Sequence, residues 1–144
     1  MATINATISI NSDIMSYPAR INKSMVMKKL QSCNNIEETS GLRVRKFTTT
    51  TATEIVDHAD FPDDKAHKLY IRNTSSDKVN SFIISYHATA AGATAAATIG
   101  RLYGGDWMLM PYDGNVDINV ASSTAETQTL EYMVFAEDFE SAKG

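Results

Sequence analysis

The sequence predicts an all-β fold: an antiparallel two-sheet β-sandwich, jelly-roll-like or of a related topology, with an extended N-terminal arm. Three observations predict it. Thr and Ser together account for 28 of 144 residues, and threonine, branched at Cβ, favours the extended chain. Eight or so short apolar runs show period-2 alternation and are broken by turn signals at intervals of roughly 8–14 residues. No stretch carries a convincing amphipathic helical period.

Taken in order, Ile4, Ala6, Ile8 and Ile10 alternate with Thr3, Asn5, Thr7 and Ser9, the signature of a half-buried strand. Pro18 lacks a donor N–H and interrupts regular pairing. Met25-Val26-Met27 and Leu42–Phe47 are the next strands, separated by a polar turn over Ser32–Ser40, and Thr48–Thr51 leads on toward Ile55 and Val56. Asp57–His67 is acidic and turn-rich. Leu69–Arg72 and Ser81–His87, joined through Asn73–Asp77, read as a hairpin. Ala88–Thr98, built of Ala and Thr around Gly92, reads as a hairpin tip, with a short helix as the alternative. Strands then follow at Thr98–Leu102, Trp107–Tyr112, Val116–Val120 and Leu130–Phe135, with turns at Gly104-Gly105-Asp106 and Asp113-Gly114. The last strand alternates Leu130, Tyr132 and Val134 with Glu131, Met133 and Phe135, so it should be buried on one face and partly covered on the other.

Charge divides the chain unevenly. Residues 1–46 hold seven basic and three acidic side chains and are +4, so a total of −4 leaves −8 for the remainder. The expected organisation is a basic N-terminal arm with the first strands (1–46), a sandwich body (47–136) and an acidic flexible tail (137–144). A net charge of −4 argues against bulk nucleic-acid binding. The single cysteine, Cys33, excludes an intrachain disulfide and a cysteine-based zinc site. No apolar run reaches the roughly 18 residues that span a bilayer. The first residues offer no continuous apolar stretch to act as a signal peptide.

Catalytic patterns are weak. Asp57, His58, Asp60, Asp63, Asp64 and His67 are divalent-cation ligand types, yet their spacing matches neither an EF-hand loop nor an HExxH helix, and the segment reads first as a solvated acidic connection. Gly100–Gly105 lacks the Lys-Ser/Thr of a P-loop and reads as a turn. No Gly-x-Ser-x-Gly elbow is present. Cys33, between Ser32 and Asn34, reads as a plain surface thiol. Tyr103, Trp107 and Tyr112 flank the Gly104-Gly105 turn and either pack in the core or form an aromatic contact for a partner or a sugar. No enzyme and no cofactor is expected.

The opening Ala2–Ile10, the element Lys68–Thr74, and above all Ile99–Pro111 followed by Asp117–Val120 and Leu130–Phe135 carry a resemblance. The chain resembles the small β-sandwich virion structural proteins of tailed, especially marine, bacteriophages. The likeness covers most of the chain, and its motifs are structural. It implies a non-enzymatic component of the virion, first a capsid decoration or cement protein on the capsid surface. Its partners would be the major capsid protein and neighbouring copies of itself, with a homotrimer allowed and with neither membrane nor direct nucleic-acid contact. Arg20, Lys23, Arg43 and Arg45 would then supply charge pairing, and Ile4, Ile8 and Ile10 would add a strand to an exposed edge. The alternative is a tail, neck or fibre-associated protein with an assembly or host-glycan role, touching its partner through Tyr103, Trp107 and Tyr112.

Overall fold

The computed structural model describes residues 3–13, 19–30, 32, 34–88 and 96–137. Within these residues eleven strands follow one another: β1 (Asn5–Ser12), β2 (Ala19–Val26), β3 (Glu38–Thr39), β4 (Arg43–Phe47), β5 (Thr53–Val56), β6 (His67–Asn73), β7 (Ser81–Ala88), β8 (Ala96–Tyr103), β9 (Trp107–Tyr112), β10 (Val116–Ser122) and β11 (Gln128–Ala136). Among the described residues the only helical element is a 3-10 turn at His58–Asp60.

Strands β4 to β11 pair as a nested ladder. β4 pairs β11, β5 pairs β10, β6 pairs β9 and β7 pairs β8, all antiparallel. The ladder is wound so that β6 also pairs β11 and β7 also pairs β10. One sheet therefore runs β4-β11-β6-β9, with β3 beside the far end of β11, and the other runs β5-β10-β7-β8. That strand order is a jelly roll, and the all-β sandwich expected from the alternating pattern is what forms.

The core lies between the two sheets. Leu69, Ile71, Leu130 and Val134 from one meet Phe82, Ile84, Ile118 and Val120 from the other. Phe47 and Phe82 pack edge-to-face with centroids 5.2 Å apart. Each such side chain contributes about 1.5–3 kcal/mol by leaving water. β11 alternates buried and half-buried residues along its whole length, as its pattern requires.

A buried polar row closes one end. Asn73 donates to Leu102 O (2.9 Å) and accepts from Ser75 N–H (3.0 Å), while Gln128 donates to Ser122 Oγ (2.7 Å). The β8–β9 turn requires glycine at two positions. A Cβ on Gly104 would lie 2.1 Å from Asp77 O, and Gly105 adopts φ +91°.

Four readings of the sequence need revision. Leu69–Arg72 and Ser81–His87 do not form a hairpin, because β6 and β7 lie in opposite sheets and turn their apolar faces toward each other across the core. The polar segment before β3 is more than a turn. Asn35 and Ile36 are buried, Lys28 bridges to Asn35, and Ile36 N–H donates to Met27 O (2.9 Å). The division at residue 46 falls inside β4, whose pairing with β11 places it in the sandwich. Glu137 is buried and hydrogen-bonded, so it belongs to the body; residues 138–144 and the tip at 89–95 lie outside the described residues.

Candidate interaction surface

β1 and β2 stand apart from the sandwich as a two-stranded antiparallel ribbon with unbroken register from Asn5↔Val26 to Ser12↔Ala19. Because side chains alternate across a strand, Ala6, Ile8 and Ile10 share a face with Met25, Lys23 and Ile21. Asn5, Thr7, Ser9 and Asn11 occupy the other face. Met27 N–H donates to Ile4 O (2.9 Å), carrying the ladder one pair further. The expected half-burial holds for Ile4 and Ala6 but not for Ile8, 38% exposed, or Ile10, 45% exposed; Ile21 on β2 is 46% exposed. The ribbon has no core of its own, and its apolar face is left open.

That face looks onto β9 across a groove of about 570 Å³, lined by Ile8, Ile10 and Met25 on one wall and Trp107, Met108 and Leu109 on the other. Trp107 begins β9 at the edge of its sheet and is 53% exposed. It is paired with Arg72, which is in turn paired with Glu131. Tyr70 donates its hydroxyl to Glu131 Oε1 (2.8 Å); burial, then this bond, raises its pKa above the usual tyrosine value. The groove is mostly apolar, with Thr7, Lys23 and Ser24 also on its ribbon wall.

The other expected contact residues separate. Arg20 and Lys23 are exposed on the ribbon, whereas Arg43 and Arg45 lie on β4, an edge of the sandwich. Arg45 sits 5.5 Å from the centroid of Phe47 and donates to Glu54 O (3.4 Å), so part of the basic charge is held by the body itself. Tyr103 is exposed at the end of β8. Tyr112 is not at the surface. It is 4% exposed, packs on Phe61 and donates its hydroxyl to Val116 O (2.7 Å). Burial pushes its pKa up, reinforced by the charge of Asp117. Period-2 counting from the half-exposed Trp107 would have placed Tyr112 on the opposite, inward face.

The acidic segment is also rearranged. Asp57, His58 and Asp117 present ligand atoms within 4.8 Å of one another, with His58 Nδ1 2.7 Å from Asp117 Oδ1. Asp57 Oδ1 accepts the N–H of Ala59 and caps the 3-10 turn (2.8 Å). Burial alone would raise Asp117, but the His58 N–H and ring hold it below the usual carboxylate range. Glu54 beside it is raised by burial and by the charges of Asp117 and Asp57. Asp117 escaped sequence reading because it comes from β10. His67 takes no part in this cluster. It is fully buried, and its Nδ1 accepts the N–H of Glu137 (2.9 Å), which leaves the Nε2 proton to face Pro62 O (3.1 Å).

No family model matches the chain, and no curated protein matches it. Three solved structures show some likeness. The Yersinia pseudotuberculosis-derived mitogen aligns over 74% of this chain and 92% of its own, at 11% identity and TM-score 0.45. The structure of Drosophila melanogaster CENP-C bound to CAL1 aligns over 88% of this chain and 79% of its own, at 13% identity and TM-score 0.39. A Bacillus endospore appendage, described as a disulfide-linked pilus, aligns over 73% of this chain and 96% of its own, at 13% identity and TM-score 0.43.

Proposed function

We propose that this chain is a non-enzymatic structural protein of a tailed-phage virion, a capsid decoration or cement protein that bridges major capsid subunits and stabilises the head. The observation that carries the reading is the β1–β2 ribbon, which holds Ile8, Ile10, Ile21 and Met25 outside any core and 38–46% exposed. A two-stranded ribbon of this kind is marginal in water on its own. Packing against a neighbour would cover its apolar face, and contact at many equivalent positions on a shell makes modest individual affinities sufficient. The sequence resemblance supports the virion setting, and Arg20 and Lys23 supply charge for the contact.

Immunogold electron microscopy on intact parent particles tests the location. Gold spread over the head supports the reading, gold confined to tail or neck replaces it with a tail-associated role, and no gold on any particle overturns the virion assignment. A chain lacking residues 1–26, cut where β2 ends, should keep its folded body and lose particle binding.

A further inference from the structure

The edges of the sheets differ in how they are protected against pairing with another chain. β2 carries Arg20 and Lys23, and β4 carries Arg43, Arg45 and Lys46. β8 carries Arg101 and pairs through a register shift, β9 contains Pro111, and β3 and β5 are only two and four residues long. Charge, proline, irregularity and shortness each blunt an edge. β1 has none of them: its eight residues, Asn5 to Ser12, contain no charge, no proline and no shift in register. Among the described residues β1 pairs with β2 alone.

The outward backbone groups follow from one bond. Ile4 O accepts Met27 N–H, so Ile4, Ala6, Ile8 and Ile10 turn their N–H and C=O toward β2. Asn5, Thr7, Ser9 and Asn11 therefore present theirs to the open edge. A second β1 running antiparallel about a two-fold axis pairs all four only in one register, Thr7 with Ser9 of the second copy and Asn5 with Asn11 of the second copy. Ile8 then faces Ile8 of the second copy, and Ala6 faces Ile10 of the second copy, on the apolar side.

The absence of opposed like charges favours this partner. Two copies of β4 paired in this way would set basic side chains against each other, whereas two copies of β1 bring no charge together. We infer that the chain forms a two-fold dimer in which β1 of each copy pairs with β1 of the other, joining the two ribbons into a four-stranded sheet. This deepens the function proposed above, because it rests on the ribbon being the contact element and names a second copy as its first partner.

Sedimentation equilibrium on the full chain tests it, with an expected mass of twice 15.8 kDa. Ser9→Pro removes an outward N–H and leaves the β2 ladder intact, so it should weaken the dimer at least tenfold. A second variant fixes the register. In a Cys33→Ser background, Ile8→Cys should form an intermolecular disulfide, since the facing Cα atoms lie about 4.5 Å apart. Ile10→Cys should not, because its counterpart is displaced by roughly 13 Å along the strand. A monomer, a trimer, a dimer indifferent to Ser9→Pro, or equal cross-linking by both cysteines overturns the inference. Particle binding by a monomer would defeat the two-fold alone, and a stable dimer that binds no particle would defeat the virion reading alone.

Discussion

The carboxylate of Glu137 and the N–H of Leu30, 107 residues apart in sequence, meet at 3.0 Å. The second oxygen of Glu137 accepts the N–H of Ala66 at 2.8 Å. One buried side chain thus ties the segment that follows the ribbon to the acidic connection before β6.

Glu137 makes stability depend on pH. Burial by itself would raise its pKa, but the N–H groups of Ala66 and Leu30, with the charge of Lys65, hold it below its ordinary 4.5. The folded state therefore favours the ionised form. The resulting stabilisation is present above the unfolded-state value and is lost as pH falls through the lower folded value. Glu137→Gln should cost about 1–3 kcal/mol at pH 7 and flatten the acid limb of a melting-temperature profile. A variant whose acid limb matches that of the parent would show that another carboxylate governs it.

Two glycines of the β8–β9 region should respond in opposite directions. Ala at Gly104 would drive its methyl into Asp77 O and break the 2.8 Å bond from Gly104 N–H to that oxygen, costing roughly 2–3 kcal/mol. Ala at Gly100 meets nothing within 4 Å and should be neutral or stabilising by up to about 1 kcal/mol. Urea unfolding of the two variants side by side checks the contrast.

Asn73 is fully buried and serves both Leu102 O and Ser75 N–H. Asn73→Ala leaves both without their partner and should cost about 2–4 kcal/mol in chemical denaturation. Asn73→Asp should also destabilise, because the ring of donors and acceptors is built for an amide that donates to Leu102 O.

Trp107 is the sole tryptophan, so its fluorescence reports on the groove alone. Trp107→Ala should change stability by no more than about 0.5 kcal/mol. In the parent protein, acrylamide quenching should be substantial, and it should rise further when residues 1–26 are removed and the facing wall of the groove is lost. Unchanged quenching in the truncated chain would mean that the ribbon does not shield the indole.

Alternation made much of the body legible. The inward sets of β10 and β11 and the turns at Gly105 and Gly114 follow from period 2 and from positive-φ demands that are local in sequence. What stayed hidden was decided between distant segments. Leu69–Arg72 and Ser81–His87 are neighbours in sequence with matching apolar faces, a pattern that fits side-by-side pairing and face-to-face packing equally well. The same held for Ile4–Ile10, whose alternation marks a strand but does not say what covers it. Asp117 joined His58 and Asp57 only because β10 pairs with β5. Tyr112 shares the neighbourhood of one turn with Trp107, while its parity along β9 sends it inward.

The nested ladder also sets the order in which the chain can close. β7 and β8 lie next to each other in sequence, but Phe47 must wait for Gln128 before β4 has a partner. Long-range pairings of this kind form late, since closure of the intervening chain is unfavourable until the inner pairs exist. The ribbon strands need no distant segment to find each other, because β1 and β2 are joined by a short connection and meet within the first 26 residues. As the polypeptide is synthesised from its N-terminus, both strands are on hand while most of the body has not yet been made. On the two-fold inferred above, two nascent chains on one message would meet through their ribbons before either sandwich has closed.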